Sequence, residues 1–587
     1  MCGIFGYVGS QNNVADMVLE GLKTLEYRGY DSWGVAVKKN EAIVFEKHVG
    51  KIGDATVSLP ASSIGIGHTR WATHGGVTIK NAHPHVSCDK VLAIVHNGIV
   101  ENFQALKDDL TKKGHTFVSE TDSEVIVHLI EEHLKSEDFE VAVKAAFLKL
   151  HGLNAIVVMS SQSNEIICVK NGSPLVVGVS DSGYFLASDI TGIIKHTNQI
   201  LFIEDNQMVV MGQDLKLLQL PEGRELKAAF SRIDWTFEAA NKGQFPHFLI
   251  KEIHDQPMVI RNIAMTYKDQ IEQLANRIKN AYGTFMLGCG TASYAALAGT
   301  YLFSRIAKRH VNFTIGSEFS YLEDYVTDRT LIIPISQSGE TIDVVEPVGV
   351  AKKRGAQVAA ITNVLGSTIY RQSDFQLLLG AGPEKAVIST KAYTAMISVL
   401  LYTAYSLVGE TEKGREILLK VVDGITRILM EDYIESVKAL AQKLVLHKHM
   451  YILGRGPSYP AALEFALKMK ETTYIHAEGF AGGELKHGVI ALIEEGTPVV
   501  ALAPDDETYD SIISNAQEVK ARGAMVIGVS PKPNKVFDIH MNVDDAGDGT
   551  LILSTVVAQL LAYYLAIAKG FKDPDKPRNL AKSVTVK

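Results

Sequence analysis

The apolar positions of this 587-residue chain follow one rhythm up to about residue 220 and another beyond about residue 245. In the first stretch, short β-rich runs such as Ile4-Phe5-Gly6-Tyr7-Val8 and Val91-Leu92-Ala93-Ile94-Val95 alternate with helical spacing, as from Val14 to Leu25. This predicts an α+β domain of short strands and two amphipathic helices over residues 1–220. Over residues 221–245 the periodicity fades and polar positions dominate, which predicts a linker. The second stretch alternates β-branched runs with helical patterns: Thr330 to Ile335, a helix through Lys353, then Gln357 to Thr362. That order predicts parallel sheets with helices on both faces and ligands at the carboxyl ends of the strands.

The second stretch also repeats. Phe285-Met286-Leu287-Gly288-Cys289-Gly290 followed by Ser293-Tyr294 returns as Tyr451-Ile452-Leu453-Gly454-Arg455-Gly456 followed by Ser458-Tyr459. Glu340-Thr341-Ile342-Asp343 and Arg354-Gly355-Ala356 return as Glu507-Thr508-Tyr509-Asp510 and Arg522-Gly523-Ala524. Two copies of one domain are expected.

The copies differ where a ligand would sit. After the strand ending at Ile335 comes Ser336-Gln337-Ser338-Gly339-Glu340-Thr341, whose amides and hydroxyls would converge at a helix N-terminus and suit a phosphate. Ser-x-x-Glu is also a capping box. At the equivalent place the second copy reads Ala503-Pro504-Asp505-Asp506-Glu507, which removes hydroxyls and an amide donor and adds carboxylates that repel an anion. The second copy carries Glu464, Lys468 and Glu471 on one helix face, where an ion-pair ladder on a solvated helix is the alternative to a site. Further on, Glu484-Leu485-Lys486-His487-Gly488 places a histidine beside carboxylates in a glycine-rich loop, an acid/base candidate. In the tail, Lys582 is either a Schiff-base amine or a solvated charge.

Composition excludes more than it selects. Hydrophobic residues make up 46% and charged residues 21%, as in an ordinary globular enzyme, and the length allows about three or four domains. The net charge of −8 with scattered Lys and Arg offers no basic face for nucleic acid or an anionic membrane. Cys2, Cys88, Cys168 and Cys289 are too widely spaced for a paired-ligand metal motif and too few for a disulfide framework, so no metal and a reducing compartment are expected. On this reading no apolar run reaches the roughly 18 residues of a membrane helix and the N-terminus lacks the basic-then-apolar order of a signal peptide, so a soluble cytoplasmic protein is expected. Cys2 stands out for another reason. Removal of Met1 would place a thiol and an α-amine on one residue, and an α-amine titrating at about 7.7–8.0 can take the thiol proton directly or through one water.

The chain resembles the glutamine:fructose-6-phosphate aminotransferases, the glucosamine-6-phosphate synthases, over essentially its full length. The matching stretches include Cys2-Gly3-Ile4, Leu25 to Ser32, Gly67 to Gly75, His83-Pro84-His85, His96-Asn97-Gly98, Thr121-Asp122, Ser336 to Thr341, Ser389-Thr390-Lys391, Glu484 to Gly488 and the tail from Pro577. The resemblance implies a four-layer αββα N-terminal-nucleophile glutaminase over residues 1–220. Two α/β sugar-isomerase domains would follow over residues 246–425 and 426–570, and a tail over 571–587 would complete the sugar site. It implies that Cys2 attacks the glutamine amide, that Asn97 and Gly98 form the oxyanion hole, and that Arg70 and Asp122 hold the α-carboxylate and α-amine. Arg28, Trp71, Thr73, His74 and His83 would complete the glutamine site, with Trp71 at the gate for ammonia. On the sugar side Thr291, Ser336, Gln337, Ser338, Thr341, Val387 and Ala581 would bind fructose 6-phosphate. Lys582 would form an imine with the open-chain ketose, Glu471 would move the proton between C1 and C2, His487 would assist ring opening, and Lys468 would complete that network. The resemblance implies no cofactor and a homodimer.

Trp33, Ala292 and Val489 depart from the family pattern, and Ala292 removes a hydroxyl near the sugar. Amidophosphoribosyltransferases and asparagine synthetases share the Cys2 glutaminase but join it to other domains. The remaining alternative is a sugar-phosphate sensor with a vestigial or separate glutaminase, against which Lys582, Glu471 and His487 weigh.

Overall fold

The computed structural model describes residues 2–233 and 242–584, so the expectation that Met1 is removed, and part of the expected linker, lie outside the described residues. The chain divides into two units, residues 1–241 with 581–587, and residues 242–580.

The first unit is built on two antiparallel sheets. Gly3–Gly9 is central in an eight-stranded sheet, between Ile64–Arg70 and Gly183–Ala187, with Gly3 opposite Thr69 and Phe5 opposite Ala187. Leu92–Gly98 lies near the edge of a seven-stranded sheet and pairs with Asn154–Ser160, Asn97 opposite Ala155. Alternation along these strands sets the layers, because successive side chains point to opposite faces. Ala93, Val95, Ala155 and Val157 meet Ile4, Val8 and Ile66 in a core between the sheets. Leu92, Ile94, Ile156 and Val158 face the other way, onto Val125, Ile126 and Leu129 of helix Glu124–Leu134 and onto Phe147 of Phe139–Leu148. Val14–Leu25 covers the outer face of the first sheet, its Val18 and Leu22 reaching to where a Cβ on Gly67 would lie. The four-layer αββα arrangement follows. Among its described residues the unit holds four α-helices, two more than the hydrophobic pattern predicts. In Glu124–Leu134 seven consecutive residues, Glu124 to Ile130, are buried, polar ones among them, which hides its period. Short strands at Arg224–Leu226 and Ser231–Arg232 extend the sheets into the segment expected as a linker.

The second unit contains two five-stranded parallel sheets of the same order. In the first, Gly283–Gly288 is flanked by Asn312–Ile315 and Thr330–Ser336, followed outward by Gln357–Thr362 and Phe375–Leu378. In the second, His449–Gly454 is flanked by His476–Ala481 and Pro498–Leu502, followed by Met525–Ser530 and Ile539–Asn542. Helices Thr291–Ala307 and Ser458–Thr473 follow the first strand of each sheet, and both copies contribute to one apolar core. At its centre lie Lys391–Leu407 and Thr550–Ala568. By length and composition the segment Gly547–Ala568 qualifies as a membrane span, which corrects the sequence expectation that no run is long enough. Its most apolar window is 83% buried inside the unit, and it forms a core helix here.

Candidate active site

In the first unit, Cys2 precedes strand Gly3–Gly9, next to the end of Ile64–Arg70. The Trp71 N–H donates to Cys2 Sγ at 3.1 Å, and the Gly3 N–H donates to Thr69 Oγ1 at 3.0 Å. The Cys2 carbonyl accepts from Asn97 Nδ2 at 3.0 Å and from Arg28 Nε at 3.2 Å, and Arg28 is anchored on Asp189 at 3.1 Å. Arg28 is thus placed on the backbone of Cys2, a positioning contact that its spacing in the sequence does not signal.

Asn97 and Gly98 close strand Leu92–Gly98. His68 Nε2 faces two acceptors, Asn97 Oδ1 at 3.1 Å and the His96 carbonyl at 3.0 Å, so this nitrogen carries the ring proton. The bond to Oδ1 directs the Asn97 amide nitrogen toward Cys2. Gly98 has φ 141°, and a Cβ there would come within 2.1 Å of the Leu153 carbonyl, so a side chain is excluded. The His68 and His83 rings stack at 4.1 Å, and His83 meets His85 edge-on at 4.5 Å. Burial holds His68 down at about 3 and keeps His83, His85 and His96 below the ordinary histidine value. These imidazoles are neutral at working pH; they orient and fill rather than carry protons.

A narrow cleft, open to solvent, is lined by Cys2, Arg70, Trp71, Asn97, Gly98 and Asp122, with Thr73, His74 and His83 also at its wall. Arg70 donates to the carbonyls of Gly76 at 3.1 Å, Gly75 at 3.2 Å and His74, and so folds the 74–76 turn around its guanidinium. Burial pulls its pKa below the usual guanidinium value, while Cys2, Asp31 and Asp122 act in the opposite direction. Asp122 Oδ2 accepts the Val100 N–H at 2.8 Å, and the Trp71 ring lies edge-on to Tyr30 at 5.4 Å. The cleft therefore brings a thiol, amide donors, a guanidinium and a carboxylate together, the set needed to grip an amino acid at both ends and open its side-chain amide.

In the second unit, Ser336 to Thr341 leave the carboxyl end of Thr330–Ser336 and enter helix Ile342–Lys353. Ser336 Oγ accepts the Gly339 N–H at 2.9 Å, and Ser338 Oγ accepts the Glu340 N–H at 3.2 Å. The capping-box alternative is not realised: Ser336 stands four residues before Glu340, where a capping box needs three, and it ends the strand rather than capping the helix. Glu340 turns away to accept from the Thr368 N–H at 2.9 Å and the Thr368 hydroxyl at 2.7 Å, and the N-cap Thr341 makes no side-chain cap bond. The Gln337 carbonyl accepts the Asn363 N–H at 3.3 Å. Gly339 is required at φ 65°, since a Cβ would fall within 2.0 Å of Ser367 Oγ.

Glu464, Lys468 and Glu471 share one face of Ser458–Thr473, and Glu464 and Lys468 are buried at 0% and 1% exposure, which overturns the solvated-ladder alternative. Lys468 Nζ lies 2.7 Å from Glu471, 3.3 Å from Glu464, 3.0 Å from Thr291 Oγ1 and 3.3 Å from the Ser389 carbonyl. Thr291 opens the equivalent helix of the first copy, so both copies build this cluster. Burial pushes the Glu464 carboxyl up to about 8, with Lys468 opposing and Glu471 adding to the rise. Burial alone would deprotonate Lys468, but the two carboxylates outweigh it and keep the amine charged. Val387 donates its N–H to the Asp575 carbonyl at 2.9 Å. His487 is exposed at the end of the short helix Gly482–His487. Ala581 and Lys582 fall in the unit that contains residues 1–241. Of the departures from the family pattern, Trp33 stacks on His48 at 4.3 Å, and Ala292 is buried at the start of its helix.

Comparison with known proteins accounts for this pairing of a thiol cleft with a buried polar cluster. A glutamine amidotransferase domain family matches residues 46–219, and the SIS domain family matches residues 278–406 and 443–569. The chain is therefore an amidotransferase-type protein with two SIS domains. It is 42% identical to the glutamine–fructose-6-phosphate aminotransferase (isomerizing) of Thermococcus kodakarensis and 43% identical to that of Clostridium tetani, in both cases over 100% of each chain. The C-terminal domain of glucosamine-fructose-6-phosphate aminotransferase from Francisella tularensis superposes with a TM-score of 0.52 at 32% identity, covering 56% of this chain and 98% of that one. The chain belongs to the glutamine–fructose-6-phosphate aminotransferase (isomerizing) family.

Proposed function

We propose that this protein transfers the amide nitrogen of L-glutamine to fructose 6-phosphate and isomerises the product to glucosamine 6-phosphate, releasing glutamate. Full-length kinship with aminotransferases of that name supports the overall reaction. The observation that carries the division of labour is the pairing of the Cys2 cleft with the Thr291–Lys468–Glu471 cluster. The sensor alternative gives no reason for a buried charged lysine between two carboxylates.

In the cleft, Arg70 and Asp122 grip the glutamine α-carboxylate and α-amine, and Cys2 Sγ attacks the side-chain amide carbon. Asn97 Nδ2 and the Gly98 N–H take the charge that develops on the oxygen, a contribution of about 3–4 kcal/mol per donor in such sites. Ammonia leaves, and water hydrolyses the thioester to glutamate. In the second unit, the Ser336 to Thr341 loop, with Gln337 and Ser338, holds the sugar phosphate. Lys582 condenses with the C2 carbonyl with loss of water, ammonia then displaces the lysine, and Glu471 carries the C1 proton to C2 to give the aldose. Lys468 holds Glu471 in place, and His487 opens the sugar ring. A homodimer working in the cytoplasm completes this reading.

The test combines isotope and trapping. Glutamine labelled with ¹⁵N at its amide, incubated with fructose 6-phosphate, should give labelled glucosamine 6-phosphate with wild type and none with Cys2→Ala. Borohydride with fructose 6-phosphate should add a hexose-phosphate mass to wild type and none to Lys582→Arg, whose guanidinium cannot serve as the nucleophile. Labelled product from Cys2→Ala, or equal trapping on Lys582→Arg, would remove the respective residue from the mechanism.

A further inference from the structure

Away from the glutamine cleft, three separate segments of the first unit bring Cys88, His115, His128 and Glu131 together, with one ligand-type atom from each lying within 4.8 Å of the others. Cys88 comes from the turn between His85–Val86 and Leu92–Gly98, and His115 follows helix Phe103–Lys112. His128 and Glu131 stand three residues apart on Glu124–Leu134. Cys88 Sγ lies 3.6 Å from His128 Nδ1 and 3.9 Å from His115 Nδ1. Glu131 Oε2 lies 2.9 Å from His128 Nδ1 and 3.0 Å from His115 Nδ1. Zinc bonded to sulfur at about 2.3 Å and to nitrogen or oxygen at about 2.0–2.2 Å spans tetrahedral edges of about 3.6 Å for S···N and about 3.4 Å for N···O; the two S···N separations match within about 0.3 Å, and the two N···O separations, now of hydrogen-bond length, would open by about 0.4–0.5 Å on binding.

The surroundings match as well. A metal-bound histidine typically offers its other ring nitrogen to a carboxylate, which fixes the tautomer. His115 Nε2 meets Glu132 at 2.9 Å, and His128 Nε2 is directed toward Glu124 at 3.7 Å. Glu124 is itself held by the Val118 and Ser119 N–H groups at 2.9 and 2.7 Å. The Thr116 N–H points at Cys88 Sγ at 3.5 Å, the contact a thiolate favours.

We infer that Cys88, His115, His128 and Glu131 form a closed, four-ligand structural site for zinc. Binding displaces the Cys88 thiol proton and any proton on the two Nδ1 atoms to solvent, with no change of oxidation state. Cys88 is exposed, which provides the entry path. The metal would pin the 87–91 turn and the 115–119 segment to the helix Glu124–Leu134. Thr121, Asp122 and Ser123, just ahead of that helix, line the glutamine cleft. The site would therefore brace the cleft without touching glutamine.

The experiment uses the untagged full-length chain. After gel filtration, wild type should retain stoichiometric zinc by mass spectrometry, and its Tm should fall when the zinc is chelated. Replacement by Co²⁺ should give a thiolate-to-cobalt charge-transfer absorption that is absent from Cys88→Ser. Glu132→Gln, which leaves all four ligands in place, should weaken zinc binding about tenfold to a hundredfold. The far-UV circular dichroism spectrum and gel-filtration volume of each variant verify that it is folded. Wild type that holds no zinc and shows no cobalt–thiolate band, or Cys88→Ser that binds zinc as tightly as wild type, would overturn the assignment.

Discussion

The two SIS copies share a sheet order, yet the loops at equivalent strand ends are used in opposite ways. In the first copy, Ser336 to Thr341 keep their hydroxyls at the mouth of a helix whose first turn has no side-chain cap. In the second, Asp506 accepts the Thr508 N–H at 2.8 Å and the Thr508 hydroxyl at 2.6 Å, and pairs with Arg305 at 2.9 Å. Arg305 also reaches Glu507 at 2.8 Å and Asp548 at 3.0 Å, while Asp505 pairs with Lys532 at 2.6 Å. A strand-to-helix turn that carries hydroxyls in one copy carries ion pairs in the other. On the proposed function the first loop is the one kept for binding; the other forms part of the contact between the copies, and the second copy's helix Ser458–Thr473 supplies Lys468 with Glu464 and Glu471.

The sharpest way to break this division is to remove the second copy's cation. Lys468→Met takes the buried cation away from Glu471 and leaves Glu464, largely protonated below about pH 8, without its ion partner; losing one member of a buried pair costs up to about 3–5 kcal/mol. Thermal unfolding should show that loss, and amino-sugar formation should vanish while glutamine hydrolysis by the first unit continues. Unchanged synthesis would detach the cluster from the sugar chemistry.

A smaller effect sharpens the picture of Glu464. Its ordinary pKa of 4.5 rises to about 8 in the folded protein. A carboxyl raised on folding favours the native state below its unfolded pKa, and that contribution disappears as pH climbs through the folded value. Wild type should therefore lose stability between about pH 4.5 and pH 8 from this group, and Glu464→Gln should not. The difference in Tm between variant and wild type should move in the variant's favour from about pH 5 to about pH 9. A constant difference across that range would show that Glu464 does not titrate there.

The smallest effect belongs to the second loop. Asp506→Ser keeps an acceptor for the Thr508 N–H and removes one of three carboxylates around a partly exposed Arg305, so stability should fall by no more than about 1 kcal/mol. The KM for fructose 6-phosphate should stay within about twofold of wild type. A larger change in KM would mean that the second loop also takes part in binding.

Much of this was legible in the sequence because periodicity and motif agreed. Val14–Leu25 and Gln357–Thr362 appear at the bounds their patterns predict, since one face or both faces of each meet a core. The divergence between Ser338 and Asp505 was readable from the repeat alone. Spacing put Glu464, Lys468 and Glu471 on one face but could not say which face is buried, because burial is decided by Thr291 and Ser389 from the other copy. The neutral state of His68 and His83 likewise comes from the closure of two sheets over them, a property of packing. The Cys88 cluster joins three segments with no short ligand spacing apart from His128 and Glu131, so cysteine counting passed over it. The helix Thr550–Ala568 is apolar around its whole circumference because the unit surrounds it.

The central claim, that the first copy's loop alone takes the sugar phosphate, is tested most directly by calorimetric titration of Ser338→Asp with fructose 6-phosphate. An aspartate at 338 can still accept the Glu340 N–H that Ser338 accepts at 3.2 Å, so the substitution adds charge and keeps the loop's own bond. Two negative groups about 4 Å apart near a protein surface repel by several kcal/mol, so the Kd should rise about a hundredfold or more while glutamine hydrolysis is unaffected. A Kd equal to that of wild type would place the phosphate elsewhere and contradict the account.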